Sequence, residues 1–496
     1  MRFAGSRAAT SACEARHEVF PGPTSGDLDR AWTCRLFPTT ISVTSVQGMQ
    51  TIKRSARKDR TAKAFVRPQP SSRGDTTPGN VAIRTIGLQV LIFLIAFAIV
   101  YLRRPDALTN AQFYAEDGAV WYPQAYQFGV RSFLIPVAGY LHALIRSAAL
   151  FSLLFPFSQA PLVMNLCAIV VQILPVNVFL SSRFSRISFR MRLLGAFLYM
   201  ALPNSYEIHA NITNVQWHLV LLACLLLLAR PAEGMAWKIF DGAVLILTPL
   251  SSPIGILLVP VAAVLWWRDR APQRAAAAAF LIPGAVIEGI TILFHLHTRQ
   301  LGNLAAGGLV SSENGATIAR LVHILGRQIF LASLVGLNTQ NMFSEASFIG
   351  IAAAAVGLTV LAYALWRGPV EIKLFILFAL TALAVALISP LAGPPDLPQW
   401  EWLCQGAGNR YYFLPMLAFL ASLFWLIGYP RAPQNLRYLG LILLLLLPVG
   451  IFQDWQFPAF RDYQFQRYAD QFDRARSGDK LTIPINPGLS MNIIKR

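Results

Sequence analysis

Apolar runs long enough to cross a bilayer recur between Val81 and Gln453, separated by short polar stretches. A hydrocarbon core about 30 Å thick takes roughly 20 apolar residues of helix. With no water at that depth, each segment must satisfy its own backbone polar groups. The runs lack the residue-by-residue alternation of a membrane barrel strand. Hydrophobic residues make up 55% of the 496 positions and charged ones 13%, so the chain reads as an all-α polytopic membrane protein.

About eleven spans are expected, at 81–102, 160–182, 192–203, 215–229, 238–250, 253–267, 275–295, 346–366, 372–390, 411–428 and 437–453. The formal net charge of +18 is concentrated in the N-terminal tail and in alternate loops. Those loops hold Arg183, Arg186, Arg190 and Arg192, then Arg230, then Arg268, Arg270 and Arg274, then Arg367 and Lys373, then Arg431 and Arg437. Positive loops are retained in the cytoplasm, so the charge reports topology rather than nucleic-acid binding. It puts the N-terminus in the cytoplasm and the C-terminus on the other side, as for a bacterial inner-membrane protein. Arg103 and Arg104 break the pattern and read as interfacial anchors. The longer, aromatic loops 103–159, 204–214, 296–345 and 391–410 and the tail after Gln453 face away from the cytoplasm, which is where function is expected.

Residues 1–80 are basic and polar, a disordered cytoplasmic tail in which Met49 offers an alternative start. Residues 81–453 form the transmembrane domain, and 454–496 a small non-cytoplasmic cap. The cap is expected to pair a helix at about 459–476 with a hairpin, Leu481–Ile485 and Met491–Ile494, around Asn486-Pro487-Gly488. Amphipathic helices lying in the membrane interface are expected at 119–157. Thr248 to Gly255, with two prolines and a glycine, reads either as a re-entrant corner beside a cavity or as a hairpin between short helices. Cys13, Cys34, Cys167, Cys224 and Cys404 show neither metal-ligand spacing nor a disulfide framework.

Three polar clusters can carry chemistry. Tyr114-Ala115-Glu116-Asp117-Gly118 places adjacent carboxylates just beyond the first span, where partial desolvation can tune a carboxylate into a base. Asp117 is the preferred base, with Glu116 beside it; the competing reading is a solvated pair or a helix cap. Tyr114 and His142 of the same loop are candidate substrate contacts. Asn204 to His218 is dense in amides and imidazoles, and Asn214, Gln216 and His218 enter the next span, where buried polar groups are costly unless paired or ligand-bound. His209, Asn211, Asn214, Gln216 and His218 are therefore substrate-site candidates. The nine-residue spacing of the two histidines is not a zinc pattern, so hydrogen bonding is the expected role. Asn211-Ile212-Thr213 also fits a glycosylation sequon. Asn409-Arg410-Tyr411-Tyr412 opens a late span, and Arg410 is placed to hold phosphate bidentately beside a helix N-terminus. The competing reading is an arginine snorkelling beside an aromatic belt. Arg320, His323, Arg327 and Gln328 form a helical stripe, read as a second basic face or as a solvated one. No phosphate-binding P-loop, nucleophile elbow, zinc helix or dinucleotide fingerprint is present.

The order of these features resembles the GT-C superfamily of integral-membrane glycosyltransferases. The resemblance runs from about Val81 to the C-terminus and rests on Tyr114 to Gly118 and Gly408 to Tyr412. It looks like a poorly characterised bacterial subgroup. It implies transfer of a sugar from a polyprenyl-phosphate donor to a glycan, lipid-linked or protein acceptor in the cell envelope. Asp117 would act as base or as an acid linked to a divalent metal ion, and none of the external loops carries Asp-x-Asp. Arg410, with Arg327 or His209, would stabilise the lipid-phosphate leaving group, and inversion is implied. A lipid or polysaccharide transporter would also use broken helices, and a non-catalytic assembly protein would account for the loops and cap; the sequence shows no internal repeat of the kind many transporters carry.

Overall fold

The computed structural model describes residues 78–305, 314–342, 347–393 and 397–496. The expected tail up to residue 77, with Met49, Cys13 and Cys34, lies outside the described residues. A helix occupies each expected span. These are α1 (Pro78–Arg103), α2 (Ala160–Leu180), α3 (Phe189–Met200), α4 (Val215–Leu228), α5 (Met235–Ser251), α6 (Leu258–Asp269), α7 (Pro272–Ala305), α8 (Ser347–Arg367), α9 (Val370–Ile388), α10 (Phe413–Gly428) and α11 (Gln434–Gln453). Among the described residues, eight segments are long and apolar enough to cross a membrane, and seven of them coincide with α1, α2 and α7 to α11. Helices α3 to α6 are shorter, at 12, 14, 17 and 12 residues.

The eighth segment, Ile318–Leu337, lies where a loop was expected. Its stripe of Arg320, His323, Arg327 and Gln328 is not a solvated face, because Arg327 and Gln328 are buried. The segment does not carry the chain across. At its start the Asn314 carbonyl accepts from the Trp400 N–H, 3.0 Å, and Arg320 pairs with Glu401, 2.9 Å. At its far end the Leu337 N–H donates to Asp454, 3.0 Å. Trp400 and Glu401 follow α9 and Asp454 follows α11, both at one end of the bundle. Gly336, at φ +79°, breaks the helix beside Asp454.

The alternate arginine-bearing loops gather at the opposite end. Arg183 pairs with Asp241 at 2.7 Å and donates to the Arg230 carbonyl, while Arg268 bridges Asp269 and Glu371. Arg103 and Arg104 are not interfacial anchors. They are 1% and 3% exposed. Arg103 donates to the carbonyls of Met200, Leu202, Asp454 and Trp455, and Arg104 to those of Tyr206, His209 and Pro458. The fixed fork of guanidinium donors suits the carbonyls left over at helix ends, so two cations are drawn inward where α1, α3 and α11 terminate.

The segment from Thr248 to Gly255 is a hairpin: α5 stops at Ser251, a tight turn spans Pro253–Leu257, and α6 runs back. In the first loop, helices Tyr122–Phe128 and Ala143–Ser152 leave Phe128, Val130, Leu134 and Leu154 exposed, an apolar edge suited to the membrane interface. The expected cap helix is confined to Phe465–Arg474. Strands β1 (Lys480–Ile485) and β2 (Leu489–Ile494) pair antiparallel, with Ile483 opposite Met491. Alternation turns Ile483, Ile485, Met491 and Ile493 inward, onto Phe113, Phe157, Phe465 and Phe472, a second small core under the first loop.

Candidate active site

The acidic motif is fixed by the cap. The Ala115 N–H donates to the Asn486 carbonyl at 2.6 Å and the Asn486 N–H to the Phe113 carbonyl at 3.2 Å, so the hairpin turn grips the chain on either side of Tyr114. Ala115 takes φ +46° to make the bend. Gly118 lets the hairpin approach: a Cβ there would stand 2.9 Å from the Cβ of Phe113, 3.0 Å from Ile485 and 3.1 Å from Met491. The motif is thereby turned so that Asp117 points inward and Glu116 stays exposed.

Asp117 opens a wide helical turn, Asp117–Trp121, whose N-cap position falls to Glu116 without a capping side-chain bond. The carboxyl is 1% exposed and accepts a hydrogen bond from the Thr213 hydroxyl, which in turn accepts from the Trp121 indole N–H at 3.2 Å. Burial pushes the carboxyl up to about 8; hydrogen bonds from Thr213 and the Ile212 backbone oppose this, and the Glu116 charge adds to it.

Beyond Trp121 the network continues into His142, whose ring lies 4.7 Å away. His142 sits at φ +55° with Nε2 facing the Val137 carbonyl at 3.3 Å. Burial holds it down to about 4, with the Arg146 charge acting the same way, so it is a neutral imidazole at ordinary pH. Arg146 lies over Trp121 at 5.2 Å and donates to Gln124 and to the carbonyls of Leu141 and Ile135. Among the described residues His142 Nδ1, Gln216 Oε1 and Trp217 Nε1 are buried without a partner of full hydrogen-bond geometry, although Gln216 still acts on the His142 ring as a hydrogen-bonding neighbour. Such groups are costly to bury unless something else completes them.

Arg410 closes the other side. Its guanidinium and its backbone N–H both engage Glu207, and the second terminal nitrogen donates to the Leu391 carbonyl and to Tyr411 Oη at 3.2 Å. The guanidinium also lies over the Tyr411 ring at 4.7 Å, and that ring meets Trp217 at 5.9 Å. Tyr114 lies two residues before Glu116. It stacks on Phe460 at 4.9 Å, and its phenol is pushed up to about 12 by burial first, while Tyr206, Arg410, Arg104 and Glu116 act on it as neighbouring charges. Acid motif and arginine are linked through the stretch Glu207 to Thr213, which pairs with Arg410 at one end and donates to Asp117 at the other.

Other candidates build the frame. His209 faces Gln172 and the Val100 carbonyl, and burial holds it well below its ordinary range. His218 bonds Tyr199 Oη and the Ile208 carbonyl. Asn211 and Asn214 both donate to the Glu207 carbonyl, and the Asn211 side chain is buried, so the sequon is closed to a glycan. Asn409 reaches Asn204 at 3.4 Å, and Arg327 packs against Gly350 of α8. The sequence reading missed Glu207, although it is the one acid in the stretch from Asn204 to His218. It also missed Glu288, the one acid of α7. Among the described residues no three His, Cys, Asp or Glu side chains gather as a set of metal ligands.

No family model and no curated protein matches the chain. Among solved structures it is similar to the oligosaccharyltransferase of Archaeoglobus fulgidus in its apo form, with a TM-score of 0.38 and 11% identity. A second structure, archaeal oligosaccharyltransferase AglB from the same organism in complex with an inhibitory peptide and a dolichol-phosphate, gives 0.36 at 11% identity. Each alignment covers 78% of this chain and 59% of the solved one.

Proposed function

We propose that this chain is a membrane glycosyltransferase of the GT-C type, moving a sugar from a polyprenyl-phosphate donor to a lipid-linked glycan, polysaccharide or protein acceptor. What supports the reading is that one stretch, Glu207 to Thr213, holds both groups: Glu207 pairs with Arg410 and Thr213 donates to Asp117. These groups lie at the end of the bundle opposite the arginine-rich loops, so the positive-inside rule puts transfer on the non-cytoplasmic face, in a bacterial inner membrane.

The acceptor oxygen attacks the anomeric carbon as its proton passes to the Asp117 carboxylate. The bond from that carbon to the lipid phosphate breaks, and the phosphate departs with the bonding pair against Arg410. A single displacement inverts the anomeric centre. A base near 8 is well matched to a hydroxyl proton, at the cost of being mostly protonated at pH 7. Tyr114, Trp121 and Tyr411 offer aromatic faces, Trp217 Nε1 a donor, and His142 Nδ1 and Gln216 Oε1 acceptors, of the kind sugars use. Glu116, exposed beside the base, takes an assisting role.

Incubating purified protein with labelled polyprenyl-phosphate sugars and recovered envelope acceptors tests the proposal. Label should move in the wild type, and Asp117→Asn should lower the rate by roughly two to four orders of magnitude while the protein still inserts and folds. Full activity in that variant removes Asp117 as base. Counterflow of lipid without turnover would favour a transporter.

A further inference from the structure

Glu288 lies on α7 and is 0% exposed, inside a segment long and apolar enough to span the membrane. Among the described residues its two oxygens share a single donor, the Leu141 N–H, at 3.4 and 3.3 Å. A carboxylate has about four acceptor positions, and no ion pair to Glu288 exists among the described residues. A buried acid in a span is expensive unless it is paired or bound to something. Holding one backbone N–H does not explain the charge, since a glutamine oxygen would accept that bond equally well.

Its position supplies a reason. Leu141 lies between Tyr140 and His142, and His142 packs on Trp121 at 4.7 Å, beside the Asp117–Thr213 contact. The Tyr140 ring also meets His142, at 5.8 Å; its phenol is pushed up by burial first, then by Tyr411 and Glu288. Tyr411 carries the Arg410 guanidinium. Glu288 is thus held, through Leu141, against the loop whose Tyr140 and His142 pack toward Trp121. Sugar hydroxyls donate hydrogen bonds to a carboxylate, often from two neighbouring carbons at once, while Tyr140 and Tyr411 offer flat faces to the C–H side of a ring.

We propose that Glu288 is a sugar-binding residue of the site, accepting hydrogen bonds from hydroxyls of the donor's glycosyl group. This rests on the transferase reading. Because Glu288 would touch sugar and Arg410 phosphate, bare and glycosylated lipids separate the two roles. The full chain in nanodiscs is titrated with polyprenyl phosphate and with polyprenyl-phosphate glucose, mannose, galactose and arabinose, following tryptophan fluorescence.

In Glu288→Gln, affinity for bare polyprenyl phosphate should match the wild type, while affinity for the preferred glycosylated lipid falls roughly ten- to hundredfold, the loss of one or two charge-assisted hydrogen bonds. Glu288→Asp, which keeps the charge on a shorter arm, should recover part of that loss. Arg410→Ala should weaken both lipids. Unchanged affinity for every lipid in Glu288→Gln overturns the assignment, and so does an equal loss for bare and glycosylated lipid, which would make Glu288 only the clasp of the Leu141 loop. A wild type that binds none of these lipids overturns the transferase reading itself, and the sugar contact with it.

Discussion

The Thr213 hydroxyl donates a hydrogen bond to the Asp117 carboxyl across 96 residues of chain. This contact ties the first loop to the polar stretch that enters α4. It also sets the acid's behaviour, since it is the strongest force drawing the carboxyl down against burial.

Transfer activity should therefore rise with pH along a limb centred near 8. Thr213→Val removes a donor that favours the charged form, so its limb should move to higher pH, with lower activity at pH 7. Rate profiles of the two proteins between pH 6 and 10 check this. Coincident limbs would mean that some other group sets the profile.

Stability carries the opposite sign. Asp117 keeps its proton in the folded chain up to about 8 but loses it near 3.8 when unfolded. Its contribution is full below pH 4 and declines as pH rises toward 8. Asp117→Asn cannot ionise, so its melting temperature in detergent should fall less than the wild type's between pH 5 and 8. At pH 8 it should be the more stable protein, by on the order of 1 kcal/mol or more. Parallel melting curves over that range would refute the linkage.

Arg410→Ala strands Glu207, whose side chain is 8% exposed against 21% for the arginine. A fully buried pair broken on one side costs about 3–5 kcal/mol. With solvent reaching the guanidinium, about 1–3 kcal/mol is expected. Adding Glu207→Leu should restore part of that stability. Melts of the wild type, both single variants and the double variant measure the coupling, and strictly additive losses would show there is none.

Gly118→Val should loosen the cap. The added carbons meet Phe113, Ile485 and Met491 at about 3 Å, and overpacking of this kind costs roughly 1–3 kcal/mol. Faster proteolysis of the β1–β2 hairpin, with the bundle intact, is the expected readout. Protection equal to the wild type's would show that the hairpin does not depend on this close approach.

Composition and periodicity determined the architecture. Long apolar runs must be helices in lipid, and alternate basic loops must share a side, so eleven helices and their two ends could be read without coordinates. The cap hairpin was legible for a similar reason, as its strand alternation and its Asn-Pro-Gly turn are local signals. Asp117, His142 and Arg410 could be nominated because polar groups stand out in an apolar chain. The partners of a polar residue lie far away in sequence, and only the tertiary structure supplies them. His209 and His218 proved to be internal struts, Arg103 and Arg104 a buried knot, and Ile318–Leu337 an inward fold rather than a loop. Glu207 and Glu288 looked like single acids until their neighbours were known. A carboxylate's chemistry is set by its desolvation and by the donors around it, and both belong to the packed molecule rather than to the residue.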